Sequence, residues 1–512
     1  MHELEIDGHS LTIKDVYEVA VNNNFKVRVA DSAREKIFKA RQLVEKAVDE
    51  KRLIYGLTTG FGEFKKVAID KDQTVQLQKN LITSHSIGVG EPFSQAVVRA
   101  AVLIRANSLA HGNSGVRLET IEALLDIINY NIYPFVPSQG SVGSSGDLAP
   151  LSHLVLCRMG LGEVLVDGQR KESGEFLSGF GLEPLILTSK EGLALNNGTA
   201  FMTAVAVLNI VKAQNLIKLA DIVTGMSVEV LMGTAAACDH KIHDLRPHQG
   251  QIDSADNIRR VCANSEIMES HKHCDRVQDA YALRCSPQVH GAVKDVWRYA
   301  YSVVLTEINS VTDNPLIFPD QDEVISGGNF HGEPIAIAMD CLAIGMSELA
   351  NISDRRIFRL LTGFLNEGLP AFLIPKDKGG LHNGFMIAQY TSASLVSENK
   401  VYSHPASVDS IPTSADQEDH VSMGTIAARK LIKIIDNVEQ VLAIELMCAT
   451  QAIDFRQPLK AGSGSFLAHQ VVRGVVDFLA EDRPLYRDLE KIVKILPRVI
   501  NIVEEEIGKI KV

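Results

Sequence analysis

Tryptophan occurs once in 512 residues, cysteine seven times, and aromatic residues make up only 6% of the chain. The cysteines (157, 238, 262, 274, 285, 341 and 448) are odd in number and widely spaced, which excludes a disulfide framework and points to reduced, mostly buried thiols. Basic blocks are missing: 51 Lys and Arg against 63 Asp and Glu leave a net charge of −12, so nucleic acid is not expected as a partner. No run of 18 or more apolar residues occurs, because even the stretch from Phe201 is interrupted by Asn209 and Lys212, so no membrane span is expected. The opening Met1-His2-Glu3-Leu4-Glu5 has acids where a secretory leader would have a basic region and an apolar core, and the expected location is the cytoplasm. What remains, 46% apolar and 22% charged residues, is globular composition and excludes disordered or fibrous classes.

Proline is also missing from long windows: none falls between Pro184 and Pro247, Pro334 and Pro370, or Pro412 and Pro458. Since proline breaks helix interiors, these windows leave room for helices well beyond average length. Leu431, Ile434, Ile435, Val438, Val441 and Leu442 recur at helical steps with polar residues between them, and Leu118, Ile121, Leu125 and Ile128 make a shorter stripe. From Gly198 to about Met232 the sequence is apolar almost all round, which predicts a helix at the centre of a bundle or at a subunit interface. Strand signals are confined to short stretches near Glu3–Ile6 and Ile325. The expected fold is mainly α: a long central helix bundle with an N-terminal region carrying glycine-rich loops. A soft boundary near 195 divides residues 1–195 from 196–512, with no repeat or low-complexity linker.

The segment Gln139-Gly140-Ser141-Val142-Gly143-Ser144-Ser145-Gly146-Asp147 is unusual. A phosphate loop would continue into Gly-Lys-Ser/Thr after a strand, and neither is evident. On composition alone the segment reads as a surface loop. Chemistry offers more. If the Gly146 nitrogen attacks the Ser144 carbonyl, a five-membered ring closes, and loss of water from the ring and of the Ser145 hydroxyl leaves an exocyclic methylidene. The product is a 4-methylideneimidazole-5-one (MIO), an electrophile built without an imported cofactor. Glycine suits the attacking position because it reaches backbone angles closed to other residues, and the first position need supply only a carbonyl.

This segment resembles the prosthetic-group loop of the aromatic amino acid ammonia-lyases, and most closely their histidine-specific branch. The resemblance covers nearly the whole chain, through Tyr55-Gly56-Leu57-Thr58-Thr59-Gly60-Phe61-Gly62, Leu81-Ile82-Thr83-Ser84-His85, Glu191-Gly192-Leu193-Ala194-Leu195-Asn196-Asn197-Gly198-Thr199, Val277-Gln278-Asp279-Ala280-Tyr281-Ala282-Leu283-Arg284-Cys285, Val311-Thr312-Asp313-Asn314-Pro315, Ser326-Gly327-Gly328-Asn329-Phe330-His331 and Ala415-Asp416-Gln417-Glu418-Asp419-His420-Val421-Ser422-Met423. It implies a fumarase/aspartase-like helical architecture and β-elimination of ammonia from an aromatic amino acid. MIO from Ser144-Ser145-Gly146 would be the electrophile, with no metal or nucleotide, in a homotetramer whose sites combine residues from three subunits.

Carried over residue by residue, the resemblance makes Tyr55 the base for the β-proton. At a reference pKa of about 10, roughly a thousandth of a tyrosine is ionised at pH 7, a gap of about 4 kcal/mol that the site must close. Tyr281 would lie beside the electrophile, Arg284 would grip the substrate carboxylate, Asn197 and Gln278 would add polar contacts, and Phe330 would line the pocket. The selectivity pair Ser84-His85 and the carboxylate of Glu418 suit an imidazole, whose ring nitrogens an apolar pocket would strand at about 1–3 kcal/mol. The implied reaction is L-histidine to trans-urocanate. A tyrosine or phenylalanine ammonia-lyase or aminomutase, and a lyase expelling a betaine amine from a histidine derivative, are the alternatives.

Some positions depart from the pattern. Ser144 replaces the usual alanine, Asn196 replaces an apolar neighbour of Asn197, and His382-Asn383 replace Asn-Ser after the charged Lys376-Asp377-Lys378. His271-Lys272-His273-Cys274 lacks the second pair of a recognisable metal site, and the acids around His420 are accounted for by the resemblance.

Overall fold

A computed structural model describes residues 2–52, 54, 59 and 73–512. It is mostly helical, and the longest helices fall in the proline-poor windows: Ala200–Val230 (31 residues), Glu333–Leu361 (29) and Gly424–Phe455 (32). Pro334 sits at the second position of its helix, where the missing N–H costs nothing because that donor has no intrahelical acceptor. The expected strands are present too, at His2–Ile6 and Glu323–Ile325. Ala200–Val230 and Glu333–Leu361 are long and apolar enough to cross a membrane by length and composition, but 72% of each apolar window is buried inside the protein itself. Both are therefore core helices.

The chain forms two compact units that interleave along the sequence. The first comprises Met1–Leu208, Tyr301–Asp340 and Pro405–Arg429, so both sides of position 195 belong to it. Strands His2–Ile6 and Phe25–Val29 pair in parallel, joined by helix Ile13–Val21, whose start is fixed by a reciprocal capping box between Thr12 and Asp15. Helix Gln95–Ala110 is buried from Val97 to its end. It can be, because Arg99 is satisfied by the carbonyls of Val19, Asn22 and Ile128 and by Asn131. A local core of Ala40, Leu43, Val44, Ala47 and Ile317 packs helix Asp31–Asp49 against the hairpin Leu316–Phe318 and Glu323–Ile325.

The second unit comprises Asn209–Ala300, Cys341–His404 and Lys430–Val512. Its interior is organised by buried carboxylates with full sets of donors. Glu445 accepts Ser227 and Ser353 hydroxyls at 2.6 Å each and a fork from Arg356 at 2.6 and 2.9 Å, which ties three helices together. Asp221 receives Asn257 at 2.8 Å, Lys294 at 2.6 Å and the His290 ring at 2.8 Å. Buried charges of this kind are tolerated only when every partner is in place.

Candidate active site

The glycine-serine loop is not a surface loop. Gly143, Ser144, Gly146 and Asp147 are buried, and Ser145 is half-buried. A strand does precede it, Pro137–Gln139, paired with Val89–Pro92, but three residues beginning with proline give no readable sequence signal. Two segments clamp the loop. On one side the Gly198 N–H donates to the Ser145 carbonyl at 3.0 Å and the Asp147 N–H donates to the Gly198 carbonyl at 2.7 Å. On the other, Met423 N–H donates to the Val142 carbonyl at 2.9 Å and the Ser422 hydroxyl to the Gly143 carbonyl at 3.1 Å. Gly146 lies at φ +78°, and a Cβ there would collide with the Gly198 carbonyl, so both conformation and space demand glycine.

Asp147 anchors this arrangement. Its carboxyl accepts the Thr425 hydroxyl at 2.5 Å and the Met202 N–H at 2.9 Å, capping helix Ala200–Val230 while fixing the loop. Complete burial pushes its pKa up to about 6 despite those bonds. Burial likewise raises Glu307, which accepts the Thr199 hydroxyl at 2.5 Å. Behind Gly198 lies the buried Arg105, which donates to Thr312 and the Ala194 carbonyl. Burial lowers its pKa to about 10, so it remains a cation at neutral pH. Neither Asp147 nor Arg105 was expected to take part; Asp147 directly follows the tripeptide, which is the one signal that could have marked it.

The Ser145 hydroxyl donates to Glu418 Oε1 at 3.0 Å, and Thr413 holds Oε2 at 3.0 Å. Glu418 is close enough to act electrostatically on His85, at the end of helix Thr74–His85. Burial outweighs that charge and keeps His85 below the usual histidine value, so its ring is neutral at pH 7. The Ser84 hydroxyl lies 3.1 Å from His85 Nδ1. Asn197 is buried at the end of helix Glu191–Asn196, its amide 3.5 Å from the Asn314 carbonyl. Phe330 is half-buried, and the next residue, His331, approaches the His420 carbonyl at 3.3 Å, bringing the Phe330 segment beside the Glu418 segment.

The first unit thus gathers Ser144, Ser145, Gly146, His85 and Glu418, with Asn197 next to the Gly198 clamp. Gln278, Tyr281 and Arg284 belong to the second unit. Arg284 donates its Nε–H to the Asp279 carbonyl at 3.0 Å and lies 4.6 Å over the ring of Tyr281, which is 71% exposed. Among the described residues, neither terminal nitrogen of the guanidinium has a hydrogen-bond partner. Tyr55 lies outside the described residues.

The departures also find places. Asn196 is fully buried, with a long 3.4 Å bond to Ser152 and no partner for its carbonyl oxygen among the described residues. His382 and Asn383 form a turn in the second unit, fastened by Asp482. His271 is occupied by the carbonyls of Ile267 and Gly233, at 2.8 and 3.0 Å.

A profile of the aromatic amino acid lyase family matches residues 11–474. Among curated proteins, the chain is 51% identical over 510 residues to a histidine ammonia-lyase of Natranaerobius thermophilus, covering 99% of this chain and all of that one. It is 53% identical over 508 residues to a histidine ammonia-lyase of Caldanaerobacter subterraneus, covering 99% of each. The crystal structure of histidine ammonia-lyase from Trypanosoma cruzi superposes with a TM-score of 0.91 at 42% identity, covering 100% of this chain and 98% of that one. With the clamped Ser-Ser-Gly loop and a match of this extent, the chain belongs to the aromatic amino acid lyase family.

Proposed function

We propose that the protein is a histidine ammonia-lyase, converting L-histidine to trans-urocanate and ammonia. One observation carries this reading: Ser145 hydrogen-bonds Glu418 at 3.0 Å next to a neutral His85, which sets the reactive loop beside groups suited to an imidazole. Full-length identity near 50% to curated histidine ammonia-lyases supports the same substrate.

The loop fits the MIO group. Among the described residues, neither the Gly146 N–H nor the Ser144 carbonyl, the two groups that would join, has a hydrogen-bond partner, whereas the flanking Ser145 carbonyl and Asp147 N–H are both held. Ser144 is buried and contributes only its carbonyl, so serine in place of alanine is compatible with closure. Once formed, the group would supply an electron-poor alkene that makes the substrate amine a better leaving group. The Gly198 N–H, with the Arg105 cation behind it, favours electron density on the Ser145 carbonyl oxygen. By the family resemblance, the terminal nitrogens of Arg284 would receive the substrate carboxylate. Glu418 accepts an imidazole N–H, and neutral His85 can donate with one ring nitrogen and accept with the other. Tyr55 removes the β-proton; the Cα–N bond breaks and the Cα–Cβ double bond forms.

Exposed apolar side chains at Val277, Phe364, Leu381 and Val401 support a homotetramer, and a cytoplasmic location accompanies the reading. The test is ultraviolet monitoring of purified protein with L-histidine, L-tyrosine and L-phenylalanine. Urocanate formation lost in both Tyr55→Phe and Ser145→Ala is the expected result. Coumarate or cinnamate instead of urocanate would overturn the substrate, and activity untouched by borohydride would favour a betaine-amine lyase.

A further inference from the structure

His331, Glu333 and His420 each present one ligand atom, and the three atoms lie within 4.8 Å of one another. We infer that they form a divalent-cation site of zinc type, two imidazoles and one carboxylate, outside the elimination chemistry and independent of the substrate reading. Four observations argue for it.

The first is chemical: two imidazole nitrogens and one carboxylate oxygen, with no thiolate, make the donor set of a zinc or cobalt ion that keeps its remaining positions for water. Second, Glu333 Oε2 is buried and has no hydrogen-bond partner among the described residues, although Glu333 opens a 29-residue helix whose first N–H groups are available to it. A carboxylate oxygen left in that state is one that an ion would satisfy. Third, the His331 ring is already oriented. Its Nε2 lies 3.3 Å from the His420 carbonyl, and donating there leaves the lone pair on Nδ1, which receives only a long 3.4 Å contact from the Glu333 N–H. Metal-binding histidines are commonly fixed by such a bond from the other ring nitrogen. The two histidine rings lie nearly parallel, at 8° and 5.7 Å.

Fourth, the backbone is shaped for close approach. Gly332 separates His331 from Glu333, and a Cβ there would meet Met202 Sδ at 2.5 Å and the Ser422 hydroxyl at 2.9 Å. On the other side, three consecutive left-handed residues, Ser414, Ala415 and Asp416, at φ between 51° and 68°, lie four to six positions before His420. An ion bound here would tie the segment bearing Phe330 to the segment bearing Glu418, and so brace both sides of the candidate pocket.

The test uses full-length protein stripped with a chelator and titrated with Zn²⁺ by calorimetry, then with Co²⁺ while recording visible absorption. One equivalent per chain, with the intense absorption of low-coordinate cobalt and a raised unfolding temperature, is the expected result. His331→Ala, His420→Ala and the near-isosteric Glu333→Gln should each weaken binding by at least roughly tenfold, whereas His271→Ala should bind as the parent does. Glu333→Gln guards against a folding failure in the histidine variants, with circular dichroism as its control. Absence of saturable binding in the parent, or affinity unchanged in Glu333→Gln, overturns the inference.

Discussion

Substituting Gly146 by alanine probes the loop at its tightest point. The residue sits at φ +78°, and its missing Cβ would occupy the place of the Gly198 carbonyl. An L-residue in the left-handed region costs about 1–2 kcal/mol. Relieving the collision means moving Gly198 away, which breaks its bonds to the Ser145 carbonyl and the Asp147 N–H. Each bond contributes about 0.5–1.5 kcal/mol net. The native loop geometry is therefore disfavoured by about 2–5 kcal/mol, a roughly thirty- to several-thousand-fold loss of the conformer in which residues 144 and 146 can join. Intact-mass spectrometry reads the outcome directly. The parent protein should lack two waters relative to its sequence, the Gly146→Ala variant should retain them, and Ser144→Ala should lose them as the parent does. A fully dehydrated Gly146→Ala chain would refute the reasoning, and so would a Ser144→Ala chain that stays hydrated.

Three further outcomes follow from carboxylates at the site and in the interior. Asp147 is raised from about 3.9 to about 6 on folding, so folding favours its neutral form: its contribution is most favourable below pH 4, falls away between pH 4 and 6, and leaves a constant penalty of about 3 kcal/mol above pH 6. Asp147→Asn should therefore stabilise the protein in denaturant titrations at pH 8 and give no gain near pH 4; a gain independent of pH would refute the cause. Replacing Glu418 by glutamine removes a charged acceptor for imidazole worth about 1.5–3 kcal/mol, so kcat/KM for L-histidine should fall roughly ten- to 150-fold. Glu445→Ala strands Arg356 and two serines in the interior, and thermal unfolding should report a loss of about 3–5 kcal/mol.

The helices were legible because their signals are local. Proline-poor windows bound the three longest, and the nearly all-apolar surface after Gly198 announced a largely buried helix. The reactive tripeptide was legible because its chemistry is contained in three adjacent residues. Its supports were not. Glu418 reaches Ser145 across 273 positions and Thr425 reaches Asp147 across 278, and no period in the sequence records such distances. The same holds for His331 and His420, 89 positions apart, whose neighbourhood only the folded chain creates. Composition misled for the loop itself: the glycines and serines of residues 140–146 suggested solvent, but here smallness lets two backbones touch.

The clamp on the reactive loop has an implication for timing. Its holding groups come from residues 198, 202, 422, 423 and 425. A growing chain on the ribosome has the tripeptide early but lacks half of the grip until more than four-fifths of the protein has been synthesised. Maturation of the loop is thus a late event, and a chain truncated before residue 422 would carry the right three amino acids held on the Gly198 side alone.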